Sequence, residues 1–150
     1  MNRSIIRPLA CLAALAACSG PEGTAPRLAG GENPDATVFL AQNAPPDAVM
    51  EALYVGKVNR DAQGCLRVES EGGALVIWPY GFTLEARSDG LHVKDAAGRS
   101  VGRIGGDFRM GGGFVPAGSL PMLSEADRAL AQTRCPSTNY WIVGDTDPQS

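Results

Sequence analysis

From Ala48 onward the chain is cut into apolar runs of four to eight residues, each closed by a cluster of Gly, Asp or Ser, and that punctuation favours short strands over long helices. Ala52 to Val58 reads as a first strand, with Tyr54 and Val58 on one face and Gly56 between them. Arg60-Asp61-Ala62-Gln63-Gly64 makes the turn, after which Leu66 and Val68 point inward against an outward Arg67 and Glu69. Glu71-Gly72-Gly73 turns into Ala74-Leu75-Val76-Ile77-Trp78, apolar throughout and therefore expected to be buried on both faces until Pro79 withholds a ladder donor. Phe82, Leu84 and Ala86 alternate with Thr83, Glu85 and Arg87; Ser88-Asp89-Gly90 is a hairpin signal, and Leu91 and Val93 continue the inward face. Asp95 to Gly98 turns again, and in the next strand, Ser100 to Ile104, Gly102 breaks the alternation as a bulge would.

Phe108 to Met110 makes a last short piece of this meander before Gly111-Gly112-Gly113, which reads as a mobile hinge or turn. One helix follows. Ser124 is a good N-cap, Glu125 lies in the first turn where the helix dipole favours negative charge, Leu123, Ala126 and Leu130 share a face, and Pro136 stops it. Tyr140-Trp141-Ile142-Val143 is the final strand, and Gly144 opens a polar tail. The expected fold is mainly β: a small antiparallel barrel or sandwich, OB-like, with one short C-terminal helix.

The first residues carry an address rather than a fold. Arg3 and Arg7 make a positive flank, and Leu9 to Cys18 is an apolar segment too short for a spanning helix, which needs roughly 20 residues. Its end, Leu15-Ala16-Ala17-Cys18, resembles the lipobox of bacterial lipoproteins. The resemblance implies cleavage before Cys18, a diacylglyceryl group on its sulfur and usually acylation of the new amino terminus. Ser19 is typical, in that family, of transfer to the outer membrane. An ordinary secretory signal cut after Ala16, at Ala14-Leu15-Ala16, is the competing reading. Cysteine parity weighs against it. Of Cys11, Cys18, Cys65 and Cys135, the leader takes the first and lipidation the second, leaving Cys65 and Cys135 as one expected disulfide; a soluble export product would strand an odd thiol.

The segments expected are therefore a signal peptide over 1–17, a disordered Pro/Gly/Ala-rich tether over 18–47, a β-rich domain over 48–145 and a tail over 146–150. Pro21, Pro26, Pro34, Pro45 and Pro46 block helix in the tether, whose r.m.s. reach would be about 30 Å. Thr37-Val38-Phe39-Leu40 is its exception and is expected to dock on the domain or form a short strand. Removing residues 1–17 takes two of the 13 basic side chains and none of the 16 acidic ones, for a net charge of −5. That balance, with no basic cluster, excludes nucleic acid as an expected partner and gives no second, electrostatic grip on anionic lipid.

Few residues of the chain have the types and spacing that chemistry needs. The single histidine, His92, falls on an alternating strand and is expected to point into solvent beside Lys94 rather than to serve as a base. One histidine and no free cysteine argue against a transition-metal site; carboxylates leave calcium open, though without an EF-hand spacing. Glu69 and Glu71 share a strand face and Asp107 sits on a glycine turn; paired carboxylates can hydrolyse glycosides, but solvated surface is the commoner role. Gly111-Gly112-Gly113 lacks the Lys-Ser/Thr and helix of a phosphate loop. Trp78 and Trp141 read as core, while Tyr80, in the Pro79-Tyr80-Gly81 turn, and Phe114, in a loop Phe114-Val115-Pro116, are the candidate ligand-binding residues.

Gly64-Cys65-Leu66, Val76-Ile77-Trp78-Pro79, Gly111-Gly112-Gly113 and Cys135-Pro136 through Tyr140-Trp141-Ile142-Val143-Gly144 together resemble a pattern in small exported β-barrel domains; it covers roughly Ala52 to Gly144 and carries over no functional residue. The expected function is a non-enzymatic binding or scaffolding module, lipid-anchored in the bacterial cell envelope at the outer membrane and facing the periplasm, with an envelope protein or glycan as partner and no cofactor. An envelope glycan hydrolase using carboxylates and a small proteinaceous inhibitor of an envelope enzyme are the alternatives.

Overall fold

Four consecutive apolar residues with both faces to bury need two cores, one on each side, and the rest of the chain supplies them. In the computed structural model, which describes residues 37–68, 73–118 and 120–146, that strand is Leu75–Trp78, every position of it buried. Before it in the chain come β1 (Leu40–Ala41), β2 (Ala52–Arg60) and β3 (Leu66–Val68); it is β4 itself. After it come β5 (Thr83–Arg87), β6 (Gly90–Lys94), β7 (Ser100–Arg103), β8 (Asp107–Pro116), α1 (Glu125–Thr133) and β9 (Asn139–Thr146).

Strands β2, β3, β4, β9 and β8 pair in that order, and β8 returns to β2, which closes a barrel. All of these pairings are antiparallel except β4 with β9, where Leu75, Val76 and Ile77 run beside Tyr140, Trp141 and Ile142 in parallel. A five-stranded Greek-key barrel of this connectivity is OB-like, as expected. The three-stranded sheet β5-β6-β7 is inserted between the third and fourth barrel strands and sends Leu91, Val93 and Val101 into the barrel core.

The inner core gathers Val58, Leu66, Val68, Val76, Trp78, Phe108, Met110, Trp141 and Val143. The outer one lies against the other face of β4 and β9, where Leu75, Ile77, Tyr140 and Ile142 are covered by Leu123 and Ala131 of the helical segment and by Val38 and Leu40. Cys65 and Cys135 belong to this outer core and form a disulfide with a Cα–Cα distance of 5.7 Å. Ser124 caps α1, its Oγ accepting from the backbone N–H of Asp127 at 3.1 Å. Leu123 and Leu130 face inward as the pattern requires, but Ala126 is exposed and Ala131 takes the buried position instead.

Several expectations need correction. Leu40 and Ala41 pair in parallel with Ile77 and Trp78, Val38 bridges Cys65, and the side chain of Gln42 donates to the carbonyl of Val143 at 3.1 Å. The folded unit therefore takes in the last part of the 18–47 tether, and the short strand anticipated there is present. Residues 1–36, with Cys18, lie outside the described residues, as do 69–72, 119 and 147–150.

Gly111-Gly112-Gly113 is neither hinge nor turn but the middle of β8, and Gly144 continues β9 to Thr146. The reason is space. A Cβ on Gly112 would meet the carbonyl oxygen of Ile142 and stand 3.1 Å from the indole of Trp141, and one on Gly111 would meet the carboxylate of Asp145. The register shifts between Gly111 and Gly112, which pair with Asp145 and Val143, so Gly144 is the extra residue of a bulge. The irregularity expected at Gly102 falls one residue earlier: Gly102 pairs with Val93 and Ser100 with Lys94, which leaves Val101 unpaired. Gly102 is needed for another reason, since the ring of Phe108 occupies the space a side chain would take.

Candidate functional site

OB-like barrels commonly bind ligands on the face of their second and third strands and on the loops that flank it. Here those strands are β3 and β4; the helical segment packs on the outer face of β4, and β1 pairs alongside it. The flanking loops are also fastened. The β2–β3 turn and the α1–β9 connection are joined by the Cys65–Cys135 disulfide, by Arg134 Nε donating to the carbonyl of Gln63 at 3.1 Å, and by Arg67 Nη2 donating to that of Pro136 at 3.2 Å. Ligand contact has to be sought elsewhere on the barrel.

Arg67 is a residue that the alternating pattern misplaces. Expected in solvent, it is 8% exposed, and its Nε donates to Asp61 Oδ2 at 2.7 Å while Nη1 reaches the carbonyl of Gly73 at 3.1 Å. Asp61 belongs to a turn that the chain builds twice. Asp61-Ala62-Gln63-Gly64 and Asp95-Ala96-Ala97-Gly98 share a spacing, and Gly64 and Gly98 adopt φ of 85° and 78°, which glycine tolerates best. In each, Oδ1 accepts from the backbone N–H groups two and four residues on, and Oδ2 accepts from an arginine Nε at 2.7 Å, Arg67 in the first and Arg99 in the second.

Burial raises the pKa of Asp61, but the Arg67 guanidinium and the N–H groups of Cys65 and Gln63 outweigh it and hold the carboxyl below its ordinary 3.8. Asp95 is depressed in the same way, burial being offset by the N–H and guanidinium of Arg99 and the N–H of Ala97. A group depressed on folding contributes stability that is complete above its unfolded value and is lost as pH falls through the folded one. Denaturation midpoints measured against pH are therefore expected to hold steady down to about pH 4 and to drop below it. Asp61→Asn should flatten part of that acid limb; an acid limb of unchanged slope in the variant would refute the assignment.

Of the two aromatic candidates, Tyr80 lies in the turn after β4, half exposed, as expected. Phe114 is exposed too, but it is not in a loop: it pairs with Trp141 inside β8–β9, and the rings meet edge to face with centroids 4.8 Å apart. Tyr54 approaches the same indole from β2 at 5.6 Å. The result is a row Tyr54–Trp141–Phe114 along the inner surface of one end of the barrel, buried at its centre and open at Phe114. Trp141 Nε1 is buried in that row without a hydrogen-bond partner among the described residues. Tyr80 and Phe114 are not brought together, because Phe114 sits level with Trp141 and Val76 while Tyr80 follows the far end of β4. Trp78 and Trp141 are core, as read.

His92 is on the outward face of β6, yet it is not solvated. Its side chain is 13% exposed, with Nε2 3.0 Å from Asp89 Oδ1 and Nδ1 3.4 Å from Ser100 Oγ. Serine, histidine and aspartate in a row have the residue types of a nucleophilic triad. Here the hydroxyl contact is long and Asp89 sits at a hairpin tip with its side chain 62% exposed, so the row clips that hairpin to β7. Glu69 and Glu71 lie outside the described residues, and Asp107 opens β8, exposed and opposite Lys57. Among the described residues no three His, Cys, Asp or Glu side chains gather as metal ligands would, and no helix is long and apolar enough to cross a membrane.

Compared with known protein families, curated proteins and solved structures, the chain finds no match.

Proposed function

We propose that this chain is a lipid-anchored, non-enzymatic binding or scaffolding module of the bacterial cell envelope, held at the outer membrane through Cys18 and facing the periplasm. The observation that carries the reading is the fate of the cysteines. Cys65 and Cys135 satisfy each other inside the domain, as an oxidising compartment favours, so the thiol of the lipobox Leu15-Ala16-Ala17-Cys18 is not needed for a bridge there. The closed loops and covered outer face of β4 leave the mouth with Phe114 as the contact surface this reading uses. A half-exposed phenyl edge-on to a buried indole offers an apolar platform to a peptide side chain or the face of a sugar ring, which suits an envelope protein or glycan.

The anchor is tested by Cys18→Ser in the native host. The protein is expected to pellet with membranes, to carry acyl chains by mass spectrometry, and to become soluble in the variant, because one hydrophobic chain holds marginally while two or more hold stably. Membrane association that survives the substitution would sink the anchor.

A further inference from the structure

The outer face of β2 carries the largest aliphatic exposure among the described residues, and it is not part of the mouth. Leu53 and Val55 are 58% and 64% exposed, side by side on an otherwise regular strand, with Val49 and Met50 beside them. Beside them on β8 stand Gly111, opposite Leu53, and Arg109, opposite Val55, and a cavity of about 320 Å³ opens there between Leu53, Met50, Arg109 and Asp145. Two large aliphatic side chains this exposed on one strand face are a surface with room for a partner.

We infer that this partner is a second copy of the same chain, docked face to face about a two-fold axis that crosses β2 at the level of Tyr54. The arrangement of charge selects that occupant. Glu51 and Lys57 stand three residues to either side of Tyr54, and Leu53 and Val55 one residue to either side. A two-fold at that level sets Leu53 against Val55 of the other copy and Lys57 against Glu51, each contact made twice. On β8 the residue paired with Tyr54 is Met110, so the same rotation sets Arg109 over Gly111 of the other copy, where the Asp145 carboxylate fills the space a side chain would take. Apolar centre and charged rim are thus complementary to themselves. An anionic leaflet would call for a basic rim, and this rim carries both signs.

The test is a zero-length cross-link. Within one chain Glu51 and Lys57 are six strand positions apart, about 20 Å, beyond the combined reach of their side chains. A carbodiimide-induced amide between Lys57 and Glu51, found by mass spectrometry after treating the intact chain in its native membranes, therefore joins two copies. The amide is expected in the wild type and absent in Glu51→Gln. By sedimentation of the intact chain in detergent, Val55→Asp should weaken self-association at least about tenfold while leaving the unfolding midpoint of the dilute, monomeric chain unchanged. Lys57→Glu should weaken it about threefold or more, and Glu51→Lys with Lys57→Glu should restore it. A chain that is monomeric at every concentration, or a dimer indifferent to Val55→Asp and to the charge reversal, would overturn the inference. So would a monomer whose binding to neutral phosphatidylcholine vesicles falls with Val55→Asp, since the face would then be a lipid contact. None of these readouts depends on Cys18, so the anchor and the dimer fail separately.

Discussion

Replacing Cys65 and Cys135 together by alanine is expected to lower the stability of the folded chain by about 4 kcal/mol. The two are 70 residues apart in sequence, and a link across so long a loop removes a correspondingly large entropy from the unfolded ensemble. The double variant is the cleaner comparison, since a single replacement would leave an unpaired thiol in the core. A loss of this size is a large share of the roughly 5–15 kcal/mol that holds a typical domain together, and the melting temperature should fall by on the order of 15 °C. The native arrangement should persist at low temperature, because Arg67 and Arg134 still tie the β2–β3 turn to the α1–β9 connection. Denaturant titration of oxidised wild type against the double variant reads the effect directly. A difference under about 1 kcal/mol would mean that the unfolded chain already keeps these two loops together.

What could be read from the chain beforehand was whatever local chemistry decides. The hairpin at Ser88-Asp89-Gly90, the two aspartate turns and the Ser124 cap each rest on a few adjacent residues, and each is where the pattern put it. The all-apolar run Leu75–Trp78 announced burial on both faces, though not what would cover them. Non-local contacts were the illegible part. Alternation says which way a side chain points but not what awaits it: it aims Arg67 and His92 outward, where Asp61, Asp89 and Ser100 receive them.

The glycine run misled for a related reason. Three glycines in sequence look like slack, and only the neighbouring strand reveals that Ile142, Trp141 and Asp145 require the space. The strap at Val38 to Ala41 is legible as a strand, but its partners Cys65, Ile77 and Trp78 lie far along the chain and leave no local mark. As for the site, Phe114 is legible as an exposed aromatic but its seat on Trp141 is not, and in β2 both faces carry apolar residues, so periodicity does not say that Leu53 and Val55 stay uncovered.

Trp78→Ala should cost about 3–5 kcal/mol, comparable to the loss of the disulfide. The indole is fully buried and stacks near-parallel on Phe39 at 5.7 Å and on Phe82 at 6.4 Å, with Phe108 tilted against it at 5.6 Å. Those three rings come from the N-terminal strap, the turn after β4 and β8, so one side chain joins three separate segments of the fold. Trp78→Phe is expected to cost far less, about 1 kcal/mol: it keeps a ring among the other three and removes an Nε1–H that has no acceptor among the described residues. The contrast separates packing from hydrogen bonding, because a bond made by the indole would raise the cost of Trp78→Phe by about 1 kcal/mol and narrow the gap between the two variants. Loss of the ring should also free the strap before the barrel. Cleavage by a protease between Gln42 and Met50 is expected to accelerate in Trp78→Ala while hydrogen exchange at Val58 and Met110 stays slow, and simultaneous loss of protection at all of these would show that strap and barrel open as one unit.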